Sequence, residues 1–197
     1  MIKTMAGGVW WSAAMLLSLA LAIFSYRYLP GIGPLAPPIL ANLFAKPWLD
    51  LHIVGAATAL LLGSFQFLPV LRRGSAHRWI GRTYALGCLI GGAGGLALAL
   101  GTTAGPAATL GFGSLDVLWI AFVALGWRAA VRREFVAHRR WMIRGWALTL
   151  AAITLRLLLL AIPATGLPPV AAYCAASFLC WIPNLAIAEA YLRLRPR

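Results

Sequence analysis

Residues 79–101 read WIGRTYALGCLIGGAGGLALALG, a run of 23 residues in which Arg82 is the one charged side chain. A helix needs about 20 mainly apolar residues to cross the hydrocarbon core of a bilayer. The run therefore predicts a membrane-spanning helix. Its GGAGG segment, residues 91–95, is a small-residue pattern that lets a second helix, or a flat cofactor, approach the backbone closely. Both interpretations of the glycines stay open at this point.

The composition of the whole chain extends this prediction to the rest of the sequence. Hydrophobic residues make up 62% and charged residues 11%, against roughly 25% charged residues in a soluble domain, and the mean hydropathy is +0.85. The net charge is +13, but the basic residues stand in short gaps between apolar runs. That pattern favours loops held at a membrane surface over a nucleic-acid-binding surface. We predict an integral membrane protein, with the lipid bilayer as partner and no nucleic acid.

Six apolar segments predict an all-α fold, a polytopic helical bundle with six transmembrane helices in a single transmembrane domain, residues 1–197. Turn-forming stretches separate several of these segments: PGIGPLAPP, GTTAGPAATLGFGS and PATGLPP. The first segment is too long for the apolar part of a secretory signal. The predicted spans are roughly 8–29, 51–71, 79–101, 114–131, 141–163 and 168–191.

The basic residues predict the orientation of the bundle. With six spans both termini lie on one side of the membrane, and fourteen of the seventeen Lys and Arg residues fall on that side. Because cytoplasmic loops collect Lys and Arg, we predict cytoplasmic N and C termini and a multi-pass protein of the bacterial inner membrane. The fourteen are Lys3, Arg72, Arg73, Arg78, Arg82, Arg128, Arg132, Arg133, Arg139, Arg140, Arg144, Arg193, Arg195 and Arg197.

Two similar stretches open the third and fifth spans, AHRWIGRTYALG at 76–87 and AHRRWMIRGWAL at 137–148. They align after a shift of one residue. A parallel repeat of a helix pair would explain the similarity. So would the ordinary tendency of cytoplasmic helix starts to collect Arg and Trp. In either case the two stretches lie at the same depth.

Polar and ionisable side chains inside the spans are candidates for function because they are costly in a bilayer. By depth they form a cytoplasmic set and an external set. We expect Arg156 to pair with Asp50 or Asp116, and Glu189 to pair with one of the inner arginines. Such pairs are either structural or part of a site. The cytoplasmic set is Gln66, His77, Arg78, Arg82, His138, Arg140, Arg144, Asn184 and Glu189, and the external set is Asp50, His52, Asp116 and Arg156.

The histidines indicate two kinds of site. His77 and His138 lie at one depth on different helices, as the two axial ligands of a haem b, or the ligands of another metal, would. Arg82 and Arg144 could then bind the haem propionates. Alternatively, each histidine bonds a carbonyl group or a lipid phosphate at the membrane interface. His52 lies most of the bilayer away and is a separate, outer metal-ligand candidate.

Three functional hypotheses follow from these residues. The leading one is a haem- or metal-binding redox protein that passes electrons within the membrane, with a quinone or another redox protein as partner. The alternative is a non-enzymatic carrier or scaffold that binds an anionic or lipid-like ligand at the cytoplasmic Arg and His residues. In the third, the polar groups only specify helix packing. The chain has no hydrolase, kinase or nucleotide-binding motif, and we assign no catalytic residue.

Four blocks of sequence resemble a known family. They are His52 with GSFQFLPVLRR at 63–73, HRWIGRTY at 77–84, HRRWMIRGWALTLAAITLRL at 138–157 and CWIPNLAIAE at 180–189. In this order they resemble bacterial membrane proteins of the domain of unknown function 2306, over about residues 50–190. The resemblance implies a polytopic inner-membrane protein and brings no activity with it. The matching motif residues include His52, Gln66, His77, Arg82, His138, Arg144, Arg156, Asn184 and Glu189.

Overall fold

The regular structure of the protein, in a computed structural model, is helical. The structure describes residues 2–35, 37–68, 70–71 and 74–194. For residues 2–11, 163 and 165 it describes only the backbone. The predicted all-α fold is confirmed. In chain order the helices are α1 (Ile2–Tyr26), α2 (Pro37–Leu40), α3 (Trp48–Gly63), α4 (Ser75–Leu100), α5 (Pro106–Val131), α6 (Phe135–Thr149), α7 (Ala151–Ala161), α8 (Pro169–Leu179) and α9 (Ile182–Leu194).

Five segments of the described chain are long and apolar enough to cross a membrane, so the protein is a multi-pass membrane protein. A sixth span formed by α1, the cytoplasmic position of the termini and the bacterial inner membrane stay predictions. Arg72, Arg73, Arg195 and Arg197, which the orientation prediction uses, lie outside the described residues. The five segments are Trp48–Phe67, Ser75–Leu100, Pro106–Val131, Phe135–Ala161 and Pro169–Leu194.

Four of these segments begin earlier than the sequence predicts, and the difference is largest for α5 and α6. α5 starts at Pro106 rather than at 114, because a proline at the first position of a helix loses no hydrogen bond and has a suitable φ, and Gly105 before it has φ 101°. The assignment of 106–113 to a turn is therefore wrong. α6 starts at Phe135 rather than at 141, so His138 lies inside the first turns of a helix and not in the loop before it.

The glycines of α4 serve a close contact between α4 and α3. A Cβ added at Gly91 would lie 2.6 Å from the backbone nitrogen of Ala56, and one added at Gly94 would lie 2.7 Å from that of His52. Both neighbours belong to α3, whose own Gly55 is buried against α4. Of the two interpretations of GGAGG, these contacts favour close helix packing.

The last two segments are interrupted near their middles. Leu150 separates α6 from α7, and Cys180 with Trp181 separates α8 from α9. In the second case the cause is Pro183, whose ring and missing N–H cannot be accommodated inside a continuous helix. Irregular backbone at membrane depth is tolerated where it is enclosed by protein or faces a cavity.

Three buried hydrogen bonds meet at Thr149, which we call the hub residue, and they link α4, α5 and α6. The Thr149 hydroxyl lies 3.0 Å from the carbonyl oxygen of Gly145, from the Tyr84 hydroxyl and from Nε1 of Trp119. Trp119 can only donate, and a hydroxyl has one hydrogen. Thr149 therefore donates to Gly145 and accepts from both Tyr84 and Trp119, which joins α6 to α4 and α5.

Candidate functional site

A cavity of about 370 Å³ opens at the N-terminal ends of α4 and α6 and the C-terminal end of α5. We call it the His–Arg cavity. Its polar lining comes from the predicted cytoplasmic set, and both helices that carry its histidines pack around α5. Residues that line it include Gln66, His77, Arg78, Arg82, Trp127 and His138.

One histidine of this cavity is held by the backbone of a neighbouring helix. Nδ1 of His138 lies 2.8 Å from the carbonyl oxygen of Gly126 in α5. Because a carbonyl group only accepts hydrogen bonds, Nδ1 carries the hydrogen, and Nε2 of the neutral ring is left as an acceptor. The same orientation serves a hydrogen-bonded structural histidine and a metal ligand.

Side chains lie against two glycines near this cavity, Gly81 and Gly145. A Cβ at Gly81 would lie 3.0 Å from Oε1 of Gln66, and one at Gly145 would lie 3.2 Å from Cγ2 of Val123. Gln66 thus lies against α4, and its buried Nε2 has no hydrogen-bond partner in the described part of the chain. The open volume is bordered instead by Trp127 and its apolar neighbours.

The cavity carries positive charge that no carboxylate in the described part of its lining compensates. Arg78 and Arg82 line it, both are exposed, and the guanidinium of Arg82 lies 5.1 Å from the ring centre of Trp79. No carboxylate is among the described residues that line the cavity. Neither arginine takes part in an ion pair with another described residue.

Arg144 and Glu189, also from the predicted cytoplasmic set, lie apart from this cavity. Arg144 donates from Nε to Oε1 of Glu189 and from Nη2 to Oε2, the latter over 3.0 Å. The expected pairing of Glu189 with an inner arginine is confirmed. Asn184 donates to the Thr154 hydroxyl over 3.0 Å. Arg144 is not among the described residues lining the cavity, and its role as a cofactor ligand stays a prediction.

A second cavity, of about 180 Å³, lies toward the opposite ends of these helices. We call it the Asp116 cavity. It brings together three of the four residues in the predicted external set, together with the hub residue Thr149 and the helix break at Cys180. Residues that line it include His52, Asp116, Trp119, Thr149, Arg156 and Cys180.

Asp50, the fourth residue of that set, lies elsewhere. Its carboxylate is 3.7 Å from Nζ of Lys46, one turn before it on an exposed surface. Arg156 donates instead to the carbonyl oxygen of Ala152, over 3.0 Å, and to the Ser25 hydroxyl, over 3.1 Å. The expected ion pair of Arg156 with Asp50 or Asp116 is therefore wrong. A carbonyl and a hydroxyl accept hydrogen bonds from the guanidinium, and Asp50 has a nearer cation in Lys46, four residues before it.

The described residues contain no group of three or more His, Cys, Asp or Glu side chains arranged to hold a metal ion. His77 and His138 share a cavity as a pair, and His52 lies in the other one. Cys88 and Cys180 are fully buried and Cys174 is partly buried, all as free thiols.

Sequence reasoning missed the apolar wall of the His–Arg cavity and the role of Thr149. The wall includes Trp127, Val131 and Phe135, which are 45%, 71% and 67% exposed. Their position near arginines at the end of a span is the feature of the sequence that could have indicated this wall. Nothing in the sequence around Thr149 marks it as an acceptor for residues of two other helices.

Comparison with known proteins agrees with the resemblance seen in the sequence. No curated protein and no solved structure matches the chain. A family model described as Predicted membrane protein (DUF2306) matches residues 49–192, which contain both cavities' histidines and arginines. The chain therefore belongs to the DUF2306 family of predicted membrane proteins.

Proposed function

We propose that the protein is a non-enzymatic carrier or scaffold that binds an amphipathic anion in the His–Arg cavity. The ligand would have an acidic headgroup and a hydrocarbon part. The observation that carries the proposal is the lining of that cavity, where Arg78 and Arg82 stand without a described carboxylate beside an exposed apolar wall.

The polar part of the cavity suits an acidic group. Arginine donates several N–H groups in a fork that matches phosphate and carboxylate oxygens, and such charge-assisted hydrogen bonds are stronger than neutral ones. The buried Nε2 of Gln66, which lacks a described partner, offers a further donor nearby. Basic pockets at the ends of membrane helices are a common way of binding lipid headgroups.

The apolar part suits a hydrocarbon chain. Trp127, Val131 and Phe135 lie on the outer side of the cavity and are exposed in the isolated chain, so in a bilayer they would face lipid. The volume of about 370 Å³ falls in the range of roughly 300–1,000 Å³ that is usual for ligand sites. A headgroup could thus enter from the side while its chain stays in the membrane.

Thermal unfolding of the detergent-purified protein tests the proposal. We expect a short-chain phosphatidylglycerol to raise the unfolding temperature more than a phosphatidylcholine with the same chains, because only the first has a net negative headgroup. Inorganic phosphate should stabilise less than the lipid, since it lacks the apolar part. Arg82→Gln should reduce the difference between the lipids, whereas Arg128→Gln, at the same end of α5 but outside the cavity lining, should not.

Two outcomes contradict the proposal. One is equal stabilisation by the two lipids in the wild-type protein. The other is an equal effect of Arg82→Gln and Arg128→Gln, which would make net charge, and not the cavity, the cause.

A haem- or metal-binding redox function is the second candidate, and one observation favours it. His77 and His138 line one cavity from different helices, and the hydrogen bond from His138 to Gly126 leaves Nε2 available as a ligand. A quinone or another redox protein would then be the electron partner.

The visible spectrum and metal content of protein from a haem-replete host separate this candidate from the first. A bound b-type haem predicts a Soret band that His77→Ala and His138→Ala each alter and that His52→Ala leaves unchanged. Protein with neither the band nor a stoichiometric metal would exclude the redox candidate and leave the anion proposal standing.

A further inference from the structure

We propose that the Asp116 cavity is a second binding site, for a small uncharged molecule about the size of one aromatic ring that carries a hydrogen-bond donor, as a phenol does. The site is separate from the His–Arg cavity, and its ligand differs in both size and charge.

Asp116 is a buried acceptor that faces the cavity without a partner. The residue is 5% exposed and lines the cavity, and it makes no hydrogen bond or ion pair with another described residue. Its two carboxylate oxygens lie against Gly95, each 2.6 Å from the position a Cβ would take. Because a buried polar group without a hydrogen bond is costly, a ligand that donates to it gains affinity at this point.

His52 provides a second acceptor one helical turn away. Its Nδ1 donates to the carbonyl oxygen of Gly91 over 2.8 Å, so Nε2 is the acceptor that remains in the neutral ring. Gly91 and Gly95 are four residues apart on α4, about 6 Å along the helix axis. The imidazole and the carboxyl group therefore reach the same strip of α4 from α3 and α5.

The volume of the Asp116 cavity and the side chains of its wall indicate the class of ligand. Leu98, Phe112 and Leu115 are among the side chains that make the wall, and they favour an apolar body. A cavity of about 150 Å³ with such walls holds benzene, and this one has about 180 Å³. Arg156 also lines it, which disfavours a cationic ligand. The buried acceptor oxygens of Asp116 likewise disfavour an anionic one.

Equilibrium dialysis of the full chain in nanodiscs tests the site, with empty nanodiscs to subtract partition into lipid. The probes are phenol and anisole, which share the ring but differ in the O–H donor. We expect phenol to bind about tenfold more tightly than anisole, since the hydrogen bond to the buried carboxyl oxygen is lost with the donor. In Asp116→Leu this preference should disappear, and in Ala152→Leu, which fills the cavity, both probes should bind more weakly. Asp50→Asn, outside the cavity, should match the wild type.

Three results would overturn the site: no binding of phenol above the empty nanodiscs, equal binding of both probes by the wild type, or an unchanged preference in Asp116→Leu. Should Asp116→Leu not fold, Asp116→Ala takes its place. Alanine removes both carboxyl oxygens, so a preference that is unchanged there also overturns the proposal.

Discussion

Asp116 and Arg156 line one cavity, yet they form no ion pair. Arg156 gives its hydrogen bonds to the carbonyl oxygen of Ala152 and to the Ser25 hydroxyl, and Asp116 has no partner among the described residues. Opposite charges inside a membrane protein are generally expected to pair. Here they are held by different parts of the bundle, which leaves the carboxyl group open to the cavity.

A double-mutant cycle tests the independence of these two residues. The changes Asp116→Asn and Arg156→Gln should have additive effects on the free energy of unfolding, to within the roughly 0.5 kcal/mol expected of sites that share no interaction. The measurement is unfolding by a denaturing detergent, for both single variants and the double variant. A coupling energy well above this scatter would mean that the two side chains do pair.

The contact between Arg144 and Glu189, in contrast, is an ion pair that should contribute to stability. It is bidentate, with side chains 15% and 33% exposed. Glu189→Gln should lower the free energy of unfolding by about 1–3 kcal/mol, because a charge-assisted hydrogen bond is lost and a partly buried guanidinium stays behind.

The exposed pair of Lys46 and Asp50 is the matched control for that change. Its side chains are 73% and 39% exposed, at a separation of 3.7 Å, so Asp50→Asn should cost less than about 1 kcal/mol. Equal losses of unfolding free energy in the two variants would contradict a larger contribution from the pair of Arg144 and Glu189.

The packing of α3 on α4 predicts a sharp difference between two glycines. Gly91→Ala would bring a Cβ to 2.6 Å from the backbone of Ala56. We expect this change to lower the free energy of unfolding by about 1–3 kcal/mol or more, as overpacking usually does. Gly113→Ala, whose nearest neighbour would be 3.8 Å away, should be neutral or stabilising by up to about 1 kcal/mol. Thermal unfolding of both variants in one detergent measures the difference, and similar unfolding temperatures would contradict the described contact.

Removal of the Thr149 hydroxyl should lower the free energy of unfolding, because it removes hydrogen bonds that link α4, α5 and α6. Thr149→Val keeps the shape but leaves the Tyr84 hydroxyl and Trp119 Nε1 without their acceptor, at a cost of about 1–3 kcal/mol for each buried group left unsatisfied. Thr149→Ser should recover most of the stability, because the oxygen returns. A valine variant as stable as the wild type would contradict the described hydrogen bonds.

The sequence predicts the arrangement along each helix well, since that depends on helical periodicity alone. Eighteen residues make five turns, so His138 and Arg156 point to one side of their segment, and they do line the two cavities at its ends. The alternation of the spans across the membrane puts Asp116, His52 and Arg156 in the external set. These features need no knowledge of which helices are neighbours.

What the sequence could not predict depends on contacts between helices. The partner of Arg156 is a serine on α1, a residue with no charge to suggest the pairing. The room beside Gly81 is filled by Gln66 from the preceding segment. The start of α5 at Pro106 was hidden by its glycines, of which Gly111 is buried against Ser177 and so serves packing inside a helix.

The central claim, that the His–Arg cavity binds an amphipathic anion, is tested most directly by lipid affinities from native mass spectrometry. The measured quantity is the Kd ratio for phosphatidylglycerol and phosphatidylcholine of equal chain length. We predict a preference of about tenfold or more for the anionic lipid, of the order that one charge-assisted hydrogen bond provides. The double variant Arg78→Gln with Arg82→Gln should abolish it, and Arg128→Gln with Arg132→Gln, of equal charge change, should keep it. An equal loss in the two double variants, or no preference in the wild type, would contradict the claim.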